Sequence, residues 1–170
     1  MSQADVIILG GGLVGLTLAL ALDRHGLTTI VVDPADPATQ VAPGYDGRAT
    51  AVSSSSWRML ETLGVAARLE GHTCAIGAIS VSDGLKPGGI LFDTAAEKSD
   101  SEAGDPLGIM VENRLLRAAL RETALGAARI DLRMPARPGE VVRDGTGARV
   151  ALQDGHLITA PLVVGAEGRN

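Results

Sequence analysis

The chain has 170 residues, of which 45% are hydrophobic, and a formal net charge of −5. This length and composition are typical of one globular domain with its own core. The negative charge and the scarcity of aromatic residues (Tyr45, Trp57 and Phe92) argue against binding to nucleic acid, through its phosphates or by base stacking. No apolar run reaches the about 20 residues of a membrane span. Cys74 is the only cysteine, so an intrachain disulfide is excluded, and we expect a cytoplasmic protein.

The first predicted elements form a β-α-β unit. Ala4–Leu9 is an apolar run typical of a buried strand, and three glycines follow it directly. Leu13–His25 then predicts a helix rich in Leu and Ala, which Gly26 ends. Thr28–Val32 is strongly β-branched and predicts the next strand, which ends at Asp33. A unit of this size, about 30 residues, predicts two parallel neighbouring strands.

The rest of the chain predicts further alternation of helices and strands. In chain order we expect a loop (Pro34–Gly47), a helix (Ser54–Leu63), a helical turn (Val65–Glu70), two strands (Ala75–Ser82 and Gly89–Asp93), a polar surface loop (Thr94–Asp105), a helix (Arg114–Leu125) for which Asn113 is the N-cap, and two strands (Arg129–Arg133 and Pro161–Gly165). Asp144-Gly145 and Asp154-Gly155 are typical hairpin turns.

These elements predict an α/β fold with two strand layers. The parallel sheet is built from the two N-terminal strands together with Arg129–Arg133 and Pro161–Gly165, and the hairpins between Glu140 and Ala160 form an antiparallel side layer. The strands within Ala75–Asp93 leave exposed edges, which can pair with a second copy, so a homodimer is one expected outcome.

The glycines after the first strand match a dinucleotide-binding fingerprint. Gly10, Gly12 and Gly15 occupy the defining positions of G-x-G-x-x-G, with Leu13 and Val14 opening the helix. The first glycine permits the tight turn, the second lets a pyrophosphate approach the backbone, and the third lets helix and strand pack closely. The helix N-terminus offers N–H groups and a positive dipole end to the phosphates.

An acidic residue completes the fingerprint. Asp33 lies 23 positions after Gly10, close to the separation of about 20 residues that such sites use. Its carboxylate can accept hydrogen bonds from ribose hydroxyls, and it would repel the 2′-phosphate of NADP. The fingerprint by itself leaves NAD and FAD open.

Several other chemistries lack their residues in this sequence. Tyr45 is followed four positions later by Ala49, so the Tyr–Lys pair of a short-chain dehydrogenase is missing. No Gly-Lys-Ser/Thr run supports a P-loop, and one cysteine cannot form a redox disulfide. The histidines and Cys74 are scattered, so we predict no metal site.

Three further segments, with the fingerprint, carry a family resemblance. They are Tyr45–Ala51, Gly108–Leu116 followed by Ala119-Leu120, and Leu162–Gly168. Their order and spacing resemble the class A FAD-dependent aromatic hydroxylases, which are flavoprotein monooxygenases, and within them the ubiquinone-biosynthesis 2-polyprenyl-6-methoxyphenol hydroxylase family. The resemblance implies a Rossmann-like FAD-binding fold over residues 1–170, an incomplete N-terminal part of a longer enzyme. Residues 75–110 would be a partial insertion from the substrate domain, the stump of its sheet.

The resemblance also implies roles for individual residues. The ADP half of FAD would be held by the fingerprint glycines together with Leu13, Val14 and Asp33. Arg48 would contact the phosphates of FAD. Asn113 would lie near the ribityl or flavin part, with a plain N-cap as the alternative. Glu167 and Gly168 would border the cofactor, although the family usually has Gly-Ala-Asp-Gly where this chain has Glu167. No catalytic acid or base is assigned.

The implied function is hydroxylation of an aromatic small molecule, a polyprenyl phenol, in ubiquinone biosynthesis. FAD would be the cofactor and NADPH or NADH the reductant, with peripheral membrane or multiprotein association also implied by the family. We expect this chain alone to be inactive. Two alternatives stay open, an NAD-binding dehydrogenase domain and a nucleotide-binding module without catalysis.

Overall fold

The computed structural model describes residues 2–40, 47–84, 88–94 and 106–168. Within the chain, contacts cluster into two compact units, the first formed by residues 1–47 and 114–170 and the second by residues 48–113. Tyr45 and Asp46, and all of the expected surface loop except Thr94, lie outside the described residues.

The described residues form helices and strands in alternation along the chain. In order, they are β1 (Ser2–Gln3), β2 (Val6–Leu9), α1 (Leu13–Arg24), β3 (Thr29–Val32), α2 (Pro37–Gln40), β4 (Ala49–Ser53), α3 (Ser54–Thr62), a 3-10 turn (Ala66–Leu69), β5 (Thr73–Ile76), β6 (Ala78–Val81), β7 (Ile90–Asp93), β8 (Gly108–Glu112), α4 (Asn113–Leu125), β9 (Ile130–Arg133), β10 (Pro138–Asp144), β11 (Gly147–Leu152), β12 (Leu157–Ala160) and β13 (Leu162–Gly165).

The first unit contains the predicted parallel sheet. Its strand order is β13-β2-β3-β9, and all three pairings are parallel. All four residues of β2 and all four of β3 are buried. Strands covered on both faces need continuous apolar runs, which explains why these two segments read as VIIL and TIVV rather than as alternating patterns. The prediction of these four strands is confirmed.

A second sheet packs on one face of the parallel sheet. Its order is β1-β12-β11-β10, in which the two hairpin pairings are antiparallel and the β1–β12 pairing is parallel. The β11–β12 connection contains the predicted Asp154-Gly155, whereas the β10–β11 turn is formed by Gly145 and Thr146, one residue later than predicted, because Asp144 still pairs with Gly147. Alternate residues of the central strands meet between the layers, because side chains one residue apart point to opposite faces. The resulting core consists of Ala4, Ile7, Leu9, Ile30, Val32, Val150, Leu152, Ile158 and Ala160. The side layer predicted from the hairpins is confirmed, and β1 joins it unexpectedly.

Helix α1 covers the sheet and ends as predicted. Leu16, Ala19 and Leu20 are buried on its inner face. Gly26 has a φ of 81°, and its N–H donates to the carbonyl of Asp23 while the N–H of Leu27 reaches back to Leu22. This left-handed exit satisfies the last carbonyls of the helix and is the reason for a glycine there.

The second unit contains a three-stranded antiparallel sheet of order β4-β8-β5 and a separate β6-β7 hairpin. Helix α3 is capped by Ser53, whose hydroxyl accepts a hydrogen bond from the N–H of Ser56 at 3.3 Å. Three large apolar side chains of β7 are more than half exposed, namely Ile90, Leu91 and Phe92. This hairpin therefore carries an exposed apolar surface, which the sequence analysis did not predict.

Three further local predictions need correction, and two strands were missed. The strand expected over Ala75–Ser82 is interrupted at Gly77, which separates β5 from β6. The expected Pro34–Gly47 loop includes the short helix α2. Strands β4 and β8 were not predicted, because each is stabilised by pairing with the other across more than 50 residues of chain rather than by a local pattern. Helix α4 begins at Asn113 itself, one residue earlier than expected.

In the described part of the chain, no helix has both the length and the apolar composition needed to cross a membrane.

Candidate nucleotide site

The register of the parallel sheet brings four chain segments to one edge. Gly165, Leu9, Val32 and Arg133 form a row across the ends of the four strands. The residues that follow them, Ala166, Gly10, Asp33 and Met134, therefore emerge next to one another. In open α/β sheets ligands bind at this carboxyl edge, so the topology alone makes it the candidate site.

Gly10 makes the turn that leaves β2. Its φ is 106°, a conformation that side chains rarely adopt, and its N–H donates to the carbonyl of Val32 at 2.8 Å. A Cβ at this position would lie 2.4 Å from the carbonyl oxygen of Ala166. The N–H of Ala166 in turn donates to the carbonyl of Leu9 at 2.6 Å. Gly10 is thus required both by its backbone angle and by the segment after β13.

Gly15 and Gly12 serve different purposes. A Cβ on Gly15 would lie 1.9 Å from the carbonyl oxygen of Gly10, so this glycine lets α1 pack directly on the turn. A Cβ on Gly12 would meet nothing within 4 Å. Since Gly12 lines an open cleft, the space beside its backbone is available to a ligand. This is the arrangement that a pyrophosphate needs in order to approach the chain.

Gly11 is contacted by the residue that follows β9. A Cβ there would lie 2.6 Å from both Sδ and Cε of Met134 and 3.2 Å from the Cβ of Asp33. Met134 and Asp33 therefore pack against the middle of the glycine turn. The fingerprint assigns no role to Gly11, but a side chain there would require the flexible end of Met134 to move.

Asp33 is anchored by backbone donors. One carboxylate oxygen accepts the N–H of Gly11 at 2.7 Å and the other accepts the N–H of Ala35 at 2.8 Å. An ionised carboxylate offers about four acceptor positions, so two bonds leave capacity for ribose hydroxyls. Both bonds fix the direction of the carboxylate at the cleft before any ligand arrives.

A cleft of about 440 Å³ lies at this edge of the sheet. Its lining comes from the glycine turn, the end of β3, helix α4, the start of β10 and the segment after β13: Gly10, Gly12, Val32, Asp33, Pro34, Ala35, Arg117, Pro138, Ala166, Glu167 and Gly168. By the general rule for helix starts, the first N–H groups of α1, those of Leu13, Val14 and Gly15, have no acceptor inside the helix. These donors suit an anion.

The structure brings together most of the predicted site residues of the first unit. Gly10, Gly12, Asp33, Glu167 and Gly168 all line the same cleft. Glu167 is exposed, and one of its carboxylate oxygens lies 3.1 Å from where a Cβ on Gly165 would be. The predicted binding roles of these residues stay predictions, but their positions agree with them.

Arg48 and Asn113 belong to the second unit, where they contact each other. The backbone N–H of Asn113 donates to the carbonyl of Arg48 at 3.0 Å, and the Asn113 side-chain oxygen accepts a hydrogen bond from the Thr50 hydroxyl. Asn113 is 7% exposed, so it is a buried polar residue that joins β4 to the start of α4. Arg48 is exposed. The roles predicted for both toward a cofactor stay predictions.

Two residues at this site were not predicted from the sequence, Arg117 and Met134. Arg117 lies in the middle of α4, beside the buried Leu116, and no motif marks it. Met134 follows β9 directly, so its place beside the glycine turn depends on the pairing of β9 with β3. The one sequence feature that could have indicated Arg117 is its position next to the apolar face of the predicted helix.

The parallel sheet, the glycine turn against the start of α1 and the anchored acid after β3 define a dinucleotide-binding domain of the Rossmann type. The residues present fit such a ligand, because the space beside Gly12 is open and Asp33 faces the same cleft. The model of the FAD binding domain family matches residues 3–170, and this chain belongs to that family.

The curated proteins that this chain resembles include ubiquinone hydroxylases and FAD-dependent monooxygenases. The chain is 44% identical over 166 residues to the ubiquinone hydroxylase UbiL of Rhodospirillum rubrum, and the match covers 98% of this chain and 37% of that protein. It is 33% identical to the 3-demethoxyubiquinol 3-hydroxylase of Escherichia coli, over 98% of this chain and 41% of the relative. The chain thus spans about two fifths of the length of these relatives.

A solved structure has the same fold. PqsL of Pseudomonas aeruginosa, described as a probable FAD-dependent monooxygenase, matches with a TM-score of 0.75 and 25% sequence identity. The match covers 98% of this chain and 43% of that chain. The fold assigned from the sequence is therefore confirmed, as is the family resemblance.

Proposed function

We propose that this chain holds FAD for a flavin monooxygenase that hydroxylates a polyprenyl phenol in ubiquinone biosynthesis, with NADPH or NADH as the reductant. The match to the FAD binding domain family over residues 3–170 supports FAD, and the glycine turn supports a dinucleotide at this cleft. Gly10 and Gly15 are needed for the backbone itself, whereas Gly12 keeps space open within a cleft that Asp33 also lines. Gly12 has a φ of −79° and no packing neighbour, so neither its backbone angle nor its packing explains a glycine there.

The substrate class is supported by the relatives. The UbiL protein and the Escherichia coli protein are named as ubiquinone and demethoxyubiquinol hydroxylases, and this chain aligns with both over 98% of its length. The family match over residues 3–170 contains every residue that lines the cleft. The reductant and the phenol are inferred from the family resemblance and follow from no residue of the cleft.

Each part of the cleft has a separate task in holding the cofactor. The N–H groups at the start of α1 bind phosphate oxygens, and Asp33 accepts hydrogen bonds from the ribose hydroxyls. The anchoring of Asp33 by Gly11 and Ala35 orients the carboxylate in advance, which lowers the ordering cost of binding. Bound FAD supplies the redox chemistry of the reaction, and the protein positions it.

The test is a titration of the purified chain with FAD, NAD and NADP, followed by flavin fluorescence and calorimetry. FAD binding that Gly12→Val or Asp33→Ala weakens supports the proposal. Binding of NAD without FAD would favour an NAD-dependent dehydrogenase instead. If the chain binds none of the three nucleotides, the proposal of a nucleotide site in this chain is contradicted.

A second measurement concerns catalysis. We propose that the chain alone is inactive, because it spans only about two fifths of its relatives. The FAD-loaded chain should therefore show no oxidation of NADPH or NADH above that of free FAD, with or without a polyprenyl phenol. Turnover stimulated by the phenol would show that these residues suffice for the reaction.

A further inference from the structure

Arg117 lines the cleft but belongs to none of the motifs found in the sequence. It projects from α4 and lines the cleft together with Gly10, Gly12 and Asp33. The residue is half-buried, and its Nε atom is out of contact with solvent. Leu116 and Leu120 on the same helix are 4% and 0% exposed, so the helix is anchored and the starting point of the Arg117 side chain is fixed.

The charges of the cleft explain why a cation is needed there. Asp33 and Glu167 line the cleft and are both acidic, so they oppose the approach of a diphosphate. The N-terminus of α1 supplies only about half an elementary charge. Among the residues that line the cleft in the described part of the chain, Arg117 is the one basic residue.

We propose that Arg117 binds the diphosphate of the dinucleotide and supplies the full positive charge that the glycine turn lacks. A guanidinium can donate two parallel hydrogen bonds to phosphate oxygens, and it stays charged at every physiological pH. This inference rests on the proposed function, because it assumes that the cleft holds FAD. It adds a residue to the site and names the chemical group that this residue recognises.

The experiment compares ligands with and without the diphosphate. ADP and adenosine are each used to displace FAD from the purified chain, and the ratio of their affinities is determined for wild type, Arg117→Gln and Arg117→Lys. Because both ligands contact the same folded molecules, a partly unfolded variant does not change this ratio. Arg121→Gln is the matched control, since it removes the same charge from the same helix and Arg121 does not line the cleft.

We expect Arg117→Gln to weaken ADP and FAD by about tenfold to a hundredfold, the usual loss for a hydrogen bond to a charged group. Adenosine binding and the Arg121→Gln variant should stay at wild-type values, and Arg117→Lys should retain part of the affinity for ADP. An ADP-to-adenosine ratio unchanged in Arg117→Gln, with FAD binding still weakened by Asp33→Asn, would overturn the inference and leave the proposed function standing. A wild-type chain that binds neither FAD nor ADP would overturn both.

Discussion

The carboxylate of Asp33 accepts the backbone N–H of Gly11 at 2.7 Å, so the acid after β3 is bonded to the middle of the turn after β2. Two elements that are 22 residues apart in sequence are thereby joined at the cleft. The bond means that Asp33 orders the glycine turn, in addition to the contact with a ribose that we propose for it. A substitution there therefore affects the turn as well as the contact with the ligand.

Replacing Asp33 with Asn tests this double role. The amide retains one acceptor oxygen and loses the charge, so we expect FAD affinity to fall by about tenfold to a hundredfold. Flavin fluorescence titration measures the effect. Asp36→Asn is the control, because it removes the same charge nearby and Asp36 does not line the cleft. Equal affinities of Asp33→Asn and wild type would contradict the assignment of Asp33.

The fingerprint glycines should separate into two classes when each is replaced with Ala. Gly10→Ala and Gly15→Ala place a Cβ against backbone atoms at 2.4 and 1.9 Å, so both should lower the free energy of unfolding strongly. Gly12→Ala meets nothing within 4 Å, so it should fold normally and bind FAD more weakly. Urea unfolding and FAD titration of the three variants distinguish the classes. Normal FAD binding by Gly12→Ala would contradict the position that we propose for the pyrophosphate.

Gly11→Ala should behave differently from its neighbours, because its Cβ would meet the flexible end of Met134 at 2.6 Å rather than backbone. We expect a loss of about 1–3 kcal/mol from overpacking. In the double variant Gly11→Ala with Met134→Ala the clash is removed, so the two losses should not add, with a coupling of about 1 kcal/mol or more. Urea unfolding of the four proteins provides the cycle. Additive losses would show that Met134 does not restrict Gly11.

The local parts of this site could be predicted from the sequence. An apolar strand, a glycine turn, a helix and a β-branched strand follow one another without interruption, and each has its own pattern. Asp33 could be identified because its distance from Gly10 is set by the length of one β-α-β unit. Glu167 and Gly168 could be placed near the cofactor only through the family resemblance, since nothing local marks the turn after β13.

The contacts across the sheet could not be predicted in the same way. Met134 reaches Gly11 only because β9 pairs with β3, and Arg117 reaches the cleft only through the placement of α4. Strands β4 and β8 likewise depend on each other across the second unit. Such positions are determined by tertiary packing, which short sequence patterns do not predict.

Two adjacent threonines should respond in opposite ways to replacement with Val. Thr29 is 1% exposed, and its hydroxyl has no hydrogen-bond partner among the described residues, so Thr29→Val should raise the free energy of unfolding by about 1 kcal/mol. Thr28 is exposed, and its hydroxyl donates to Asp5 at 2.6 Å and accepts the Asp5 N–H at 3.0 Å. Thr28→Val should therefore lower the free energy of unfolding. Urea unfolding of both variants checks the prediction, and destabilisation by Thr29→Val would contradict it.

The same Asp5–Thr28 pair predicts part of the acid sensitivity of the fold. The Thr28 hydroxyl and then its backbone N–H donate to the Asp5 carboxylate, and they hold the pKa of Asp5 below its ordinary value of 3.8. A carboxyl whose folded pKa is lowered stabilises the fold above its ordinary pKa and loses this contribution as the pH falls through the folded pKa.

The free energy of unfolding should therefore decline between about pH 5 and pH 2, and less steeply in Asp5→Asn than in wild type. Some decline persists in the variant, because hydrogen bonds from Thr146 and from His156 also lower the pKa of Asp144 and of Asp154. Carboxyl carbon shifts measured by NMR report the Asp5 pKa directly. In Thr28→Val that pKa should move up toward its ordinary value, since the hydroxyl donor is gone. An Asp5 pKa that is equal in Thr28→Val and wild type would show that the hydroxyl does not stabilise the carboxylate.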